Sequence, residues 1–144
     1  MNDIAIIEAT EPSDKCLEAI NNLLPQLSQT AEPMGMKDLE AVTSSNNCHL
    51  YLLYVNGAVA GMYTLSVYAS PTGRKAWIED LVIDISCRGR RLGHLLLNHA
   101  IEKTRCYSPC TLMLTSRSSR VAANRMYQSA GFERKETNVY RMKF

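Results

Sequence analysis

Apolar positions recur along the chain with two periods, and the periods place the elements. Ile4–Glu8 is short and β-branched and reads as a first strand. Pro12, Ser13 and Asp14 follow as a helix start, with capping side chains ahead of the first turn. Leu17, Ile20, Leu23, Leu24 and Leu27 then recur at helical spacing, and Pro25 is expected to end or kink that helix. Residues 36–44 read as a second short helix. His49–Val55 is the next strand, and Asn56-Gly57 is a two-residue hairpin signal that returns the chain along Ala58–Tyr68. Pro71–Gly73 makes another turn into a third long strand, Ala76–Ile85, so the first half predicts an antiparallel meander.

Arg88–Gly93 is basic and holds two glycines. Leu92, Leu95, Leu96, Ala100 and Ile101 mark the expected buried face of the helix that follows. Pro109 separates that helix from a strand over Thr111–Thr115. Ser118-Ser119 is placed to cap a helix over Arg120–Ala130, which Gly131 stops. Phe132–Phe144 is expected to form one or two strands around Thr137-Asn138. A meander followed by β-α-β-α-β predicts an α/β or α+β sandwich.

The chain has 144 residues, 46% hydrophobic and 21% charged, which suits one globular domain and excludes disorder as its main state. No repeat or linker interrupts it, so residues 1–144 read as a single domain. No apolar run approaches the roughly 18 residues of a membrane span. The first residues lack the basic stretch of a signal peptide, so a cytoplasmic location without a membrane partner is expected. Five scattered cysteines do not suggest a disulfide framework. Charge changes the picture more. Residues 1–72 carry two basic and eight acidic side chains, a net of −6, and residues 73–144 carry fourteen basic and six acidic, a net of +8. A basic half favours an anionic partner, either a phosphate-bearing ligand or nucleic acid, against the alternative of an unevenly charged solvated surface.

Three constellations carry candidate chemistry. In the first, a strand leads through Arg88-Gly89-Arg90-Arg91-Leu92-Gly93-His94 into a helix. Unpaired N–H groups at a helix start bind anions, glycine lets backbone approach a ligand, and a diphosphate fits that combination. In the second, Ala123, Asn124 and Tyr127 share a helical face ahead of Gly131-Phe132. A tyrosine so placed either donates a proton or packs. In the third, Glu79-Asp80 interrupts an apolar strand, Trp77–Ile83. Strand neighbours point to opposite faces, so one carboxylate is expected to face a cavity or the sheet interior unless the strand bulges. Burial would raise its pKa toward the range useful for base catalysis. An edge strand with two solvated acids is the alternative.

Together these features resemble the GNAT superfamily of acetyl-CoA-dependent N-acetyltransferases, from about Trp77 to Tyr140. Arg88–Gly93 is similar to the family's Arg/Gln-x-x-Gly-x-Gly/Ala pyrophosphate loop, with Arg91 where the middle glycine usually stands. Asn124-Arg125-Met126-Tyr127 followed by Gly131-Phe132 is similar to the family's Asn-x-x-Tyr…Gly-Phe signature. The resemblance implies a mixed, mostly antiparallel central sheet with a V-shaped splay between two strands, flanked by about four helices. It implies acetyl-CoA as co-substrate and an amine as acceptor, with direct attack in a ternary complex. The backbone of Leu81, Val82 and Ile83 would pair with the pantetheine arm, and an N–H near Val82 would stabilise the oxyanion. The stretch Arg88, Gly89, Arg90, Arg91, Leu92, Gly93 and His94 would hold the diphosphate, and Asn124 would contact the cofactor arm. Glu79 would be the general base, with Asp80 in reserve, and Tyr127 the acid that protonates the departing thiolate. No catalytic cysteine is implied.

Cys106, Cys110 and His99 lack the ligand spacing of a metal site, so no metal is expected. Arg117 and Arg120 would either meet the 3′-phosphate of CoA or lie on the surface. In the family the first helices line the acceptor site, so the acidic first half suggests a small cationic amine or a peptide amine. A non-catalytic acyl-CoA-binding regulatory module is the competing reading. Nucleic-acid binding is disfavoured because the basic half lacks an aromatic platform or recognition helix. The strand Asn138–Phe144 is a candidate for pairing two subunits into a homodimer.

Overall fold

The computed structural model describes residues 2–144 and shows two compact units, one running to Leu114 and the other spanning Thr115–Phe144. In the first unit the elements are β1 (Ile4–Glu8), α1 (Asp14–Leu27), α2 (Met36–Ser44), β2 (Cys48–Val55), β3 (Ala58–Ser70), β4 (Gly73–Ile83), α3 (Leu92–Arg105) and β5 (Thr111–Met113). The sheet order is β1-β2-β3-β4-β5. The first three pairings are antiparallel and β4 with β5 is parallel, so the expected meander is present.

Local chemistry explains most boundaries. Ser13 accepts the Cys16 N–H at 3.1 Å and starts α1. That helix does not end at Pro25 but runs on to Leu27. Asn21 offers its side chain to the next segment, accepting from Met34 N at 2.7 Å and donating to Met34 O at 3.1 Å. Asn56 and Gly57 both have positive φ, 51° and 83°, as a tight hairpin between Val55 and Ala58 requires. β4 stops at Ile83 rather than Ile85. There Asp84 accepts from the N–H and hydroxyl of Ser86, both at 2.9 Å, and folds Ile85–Cys87 into a short 3-10 turn.

The sheet buries a different set of side chains on each face. Leu50, Leu52, Met62 and Val82 pack with Ile20 and Leu23 of α1 and Leu39 of α2. Leu23 is almost fully enclosed, 1% exposed. Leu23→Ala should therefore cost about 2–5 kcal/mol. Urea unfolding followed by circular dichroism checks this, and an unchanged midpoint would contradict the packing described.

The alternate residues Tyr51, Leu53, Tyr63 and Leu65 are buried as well. His99 of α3 lies edge-on to Tyr51 at 4.8 Å between centroids, which places α3 on that face. The stripe α3 buries is Leu92, Leu96, Leu97, Ala100 and Thr104. Leu95 faces outward and Ile101 is only half-buried, which corrects the expected phase by about one residue. Gly61 sits where β3, β4 and α3 converge. A Cβ there would lie 2.8 Å from the Val82 carbonyl oxygen and 3.4 Å from Leu96 Cδ1, so the glycine sets how closely β4 approaches.

In the second unit α4 spans Val121–Ser129. Arg120, not Ser118 or Ser119, is its N-cap and makes no side-chain capping bond. Gly131 stops the helix with φ 107°. Phe132–Phe144 forms no strand, contrary to expectation. Strand-favouring side chains become a strand only when a neighbouring edge completes their hydrogen bonds, and this segment has no ladder partner among the described residues.

Candidate functional site

β4 carries the first part of the site. Its parallel ladder with β5 pairs only Lys75, Ala76 and Trp77 with Thr111, Leu112 and Met113. β5 ends at Met113, and from Ile78 to Ile83 no strand pairs with that edge of β4 among the described residues. A strand edge presents unpaired N–H and C=O groups, which an extended ligand can join as an additional strand. Leu81, Val82 and Ile83 lie on this stretch, and the Val82 side chain is anchored in the core against α1.

The same stretch bulges. The β3–β4 register passes from Thr64↔Glu79 to Met62↔Val82, so Tyr63 faces both Asp80 and Leu81. Asp80 takes up the extra residue with φ 54°, a left-handed conformation that Asp tolerates better than most side chains. The bulge resolves the question of which carboxylate is buried: Glu79 and Asp80 are both exposed. Desolvation by the surrounding protein nevertheless raises both carboxyls above their usual range, and for Glu79 the neighbouring Asp80 charge adds to the rise.

β4 delivers the chain to the basic loop. Arg88 turns back and donates from Nε to Ile83 O at 3.2 Å. Gly89 has φ 83°. Arg91, the N-cap of α3, has φ 60° and ψ 23°, and its carbonyl accepts the first helical bond, from Leu95 N at 3.2 Å. The backbone there is left-handed, and a side chain adopts it at a cost of roughly 1–2 kcal/mol. Leu92 is buried and anchors the helix start, while Arg88, Arg90, Arg91 and His94 are exposed and Gly93 is half-buried. Ion pairs among the described residues are confined to His49–Glu8 and Arg105–Glu102, so none of the three loop arginines has a carboxylate partner. Gln26 adds a support that the sequence did not reveal, accepting the Ile85 N–H through Oε1 at 2.7 Å.

The second unit brings Asn124 and Tyr127 together on α4. Asn124 donates both amide protons to backbone, to Arg117 O at 2.9 Å and Arg120 O at 2.8 Å. It thereby fixes the turn before its own helix, and only Oδ1 is left for a ligand. Arg117 and Arg120 are exposed. Tyr127 is buried, its ring edge-on to Phe132 at 6.2 Å, and burial pushes its phenol pKa up. Ser116 Oγ is buried without a hydrogen-bond partner among the described residues, which marks a polar atom suited to a ligand. The only hint in the sequence was its place just after a strand.

Two further features stand apart. His49 bridges Glu8 (2.9 Å to Nδ1) and the Tyr107 hydroxyl (3.2 Å to Nε2), tying β1 and β2 to the segment after α3, in keeping with a structural role. An open pocket of about 500 Å³ lies beside α1 and the β2–β3 hairpin, lined in part by Glu18, Asn22, Tyr54 and Asp84; none of the predicted site residues lines it. No three His, Cys, Asp or Glu side chains among the described residues are grouped to hold a metal ion. Among the described residues no helix is long and apolar enough to cross a membrane.

Comparison with known proteins gives these features a context. The profile of the acetyltransferase (GNAT) family matches residues 17–132. No curated protein matches the chain in sequence. Among solved structures, a candidate acetyltransferase from Agrobacterium tumefaciens is 23% identical, with 96% of this chain and 99% of that one covered at a TM-score of 0.83. The aminoglycoside N-acetyltransferase AAC(6')-Iy in complex with CoA is 16% identical, with coverages of 99% and 96% and a TM-score of 0.80. A transcriptional regulator from Bacillus halodurans is 22% identical, with coverages of 99% and 100% and a TM-score of 0.79. At these identities the likeness is one of fold.

Proposed function

Because the chain belongs to the acetyltransferase (GNAT) family, we propose that it transfers the acetyl group of acetyl-CoA to a primary amine, either a small cationic amine or a peptide amine. The observation that carries this reading is the edge of β4 over Ile78–Ile83, unpaired by any strand among the described residues, leading into a loop at the start of α3 whose arginines form no ion pair. A long ligand with an amide-bearing arm and a diphosphate suits that sequence of groups. The chain's residues fit the co-substrate on three further counts: the left-handed, backbone-exposing turn at Gly89 and Arg91, the unpartnered Ser116 hydroxyl and the free Oδ1 of Asn124.

In this mechanism Leu81, Val82 and Ile83 bond the arm through backbone, and an N–H near Val82 holds the thioester oxygen as it becomes negative. The amides of Gly89 to His94, with the charge of Arg88, Arg90 and Arg91, hold the diphosphate. Glu79 takes a proton from the acceptor ammonium, directly or through water. The freed nitrogen forms a bond to the acetyl carbon, the C–S bond breaks as Tyr127 gives its hydroxyl proton to the departing thiolate, and the surplus proton on the new amide nitrogen passes through water to the Tyr127 phenolate, which restores the acid. No enzyme-bound acyl group is formed.

All 144 residues act as one catalytic domain in this reading, which is supported by a family match that continues across the boundary between Leu114 and Thr115. The acidic first half supports a cationic acceptor. The exposed side chains of Val139, Tyr140, Met142 and Phe144 on an unpaired segment support a homodimer joined through the C-terminus, which light scattering on the purified chain would test.

The decisive experiment is CoA thiol release with acetyl-CoA and a panel of polyamines, aminoglycosides, amino acids and short peptides. Turnover on at least one cationic amine is expected. Binding of acetyl-CoA with no turnover on any amine would replace the enzyme with a regulatory module. A preference for neutral or acidic amines would remove the cationic acceptor.

A further inference from the structure

The bulge in β4 is faced by a single residue of β3. Because the register passes from Thr64↔Glu79 to Met62↔Val82, Tyr63 alone stands across from Asp80 and Leu81. Asp80 holds φ 54° to make this possible, and a regular ladder competes with that left-handed conformation. In the regular ladder Met62 would face Leu81, and Val82 would turn away from the core that it shares with Met62. A costly backbone conformation persists where its surroundings over-determine it. Tyr63 supplies that constraint. It is 0% exposed, and its ring stacks on Tyr51 at 5.1 Å between centroids. Its hydroxyl forms a hydrogen bond of 2.6 Å with Nδ1 of His99. His99 lies on α3, about two turns beyond the loop at its start. No other hydrogen bond joins α3 to the sheet among the described residues. The other side chains α3 buries are apolar, except Thr104, whose hydroxyl donates to Ala100 O within the helix. Apolar contact has no direction and lets a helix slide, whereas a hydrogen bond selects one position. One bond thus ties the bulge of β4 and the helix behind the basic loop to the same point.

We propose that Tyr63 and His99 are positioning residues for acetyl transfer: their hydrogen bond locks the bulge that presents Glu79 and the edge Leu81–Ile83 at a fixed place relative to the start of α3. The kinetic consequence rests on the acetyltransferase reading above. The structural consequence, a bulge held in one register by a bond to α3, does not.

Three substitutions test it. Tyr63→Phe keeps the stacked ring and removes the hydroxyl. His99→Leu removes the partner, and His99→Asn keeps a hydrogen-bonding atom at the δ position. With an amine that the wild type acetylates, kcat should fall about 10-fold in Tyr63→Phe and in His99→Leu, the scale of a slight misplacement of reacting groups. It should stay within about 3-fold of wild type in His99→Asn, and KM for acetyl-CoA should change by less than about 3-fold in all three, because the binding groups themselves are intact. Combining Tyr63→Phe with His99→Leu should cost no more kcat than either alone, since each breaks the same bond. Heteronuclear NMR reads the structural half without turnover. Backbone amide signals of Asp80–Ile83 and Gly89–Gly93 should shift and broaden in Tyr63→Phe and His99→Leu as the ladder samples a second register, and should match wild type in His99→Asn. If Tyr63→Phe does not fold, the two His99 variants make the same comparison. Native kcat and native signals in Tyr63→Phe and His99→Leu overturn the proposal. So do losses that add in the double variant, or a loss in His99→Asn equal to that in His99→Leu. A wild-type chain that acetylates no amine removes the acetyltransferase reading, and the NMR comparison then decides the positioning by itself.

Discussion

Tyr127→Phe is expected to lower turnover about 100-fold, the scale of a lost general acid, while acetyl-CoA affinity stays within about 2-fold. The expectation follows from the setting of the ring. Tyr127 is buried on α4 and its ring packs edge-on against Phe132, 6.2 Å away. Phenylalanine preserves that ring and removes only the oxygen. Burial holds the phenol above its ordinary pKa of 10.0, so the group stays protonated throughout the neutral range and the acid form is always available. Loss of rate in a variant with native stability and native CoA binding isolates proton donation. Turnover equal to wild type from pH 6 to 9 would remove Tyr127 from the chemistry and leave it as a packing residue.

Glu79→Gln should reduce kcat/KM by about 100-fold or more at pH values where the acceptor amine is protonated. The loss should shrink as rising pH deprotonates the amine without help. Two effects raise the Glu79 carboxyl above 4.5, desolvation first and the Asp80 charge second. The acid limb of the wild-type profile should therefore lie above pH 4.5, because the base works only when ionised, and that limb should be missing in the variant. The same shifts act on stability with a definite sign. Native Glu79 and Asp80 hold protons more tightly than the unfolded chain, so their favourable contribution is complete below the unfolded pKa values and fades as pH climbs through the raised ones. Wild-type rates in Glu79→Gln at low pH would move the base elsewhere, with Asp80 the next residue to substitute.

What the sequence revealed, and what it hid, divides along physical lines. Elements fixed by local chemistry were legible. Ile4–Glu8 is a strand with the boundaries its β-branched run indicated. Ser13 caps α1, and Asn56-Gly57 adopts the positive φ values that make it a hairpin signal. The strand–loop–helix setting of Arg88–His94 was also readable, because a basic, glycine-containing turn before an amphipathic helix is a local pattern.

Features set by tertiary context were not legible. The bulge at Asp80 carries no glycine to announce it, so the alternation rule implied a buried carboxylate where the structure exposes two. Leu95-Leu96-Leu97 is apolar throughout, and three adjacent leucines cannot phase a helix; only packing shows that Leu96 and Leu97 go in and Leu95 stays out. Phe132–Phe144 has strand-like residues, but a strand needs an edge that sequence does not supply. The bond of Gln26 to Ile85 is a side chain–backbone bond between positions far apart in the chain, and it follows no local motif. Asp84-Ile85-Ser86, by contrast, holds a readable turn signal that its apolar neighbours concealed.

The central claim is that the bare edge of β4 and the loop beyond it grip coenzyme A. Amide hydrogen exchange, measured with and without saturating CoA, tests it at single-residue level. Exchange at Leu81–Ile83 and Gly89–His94 should slow at least 10-fold on adding CoA, as ligand bonds replace water on those backbone groups, while amides of α2 change little. Unaltered exchange across both segments would contradict the account.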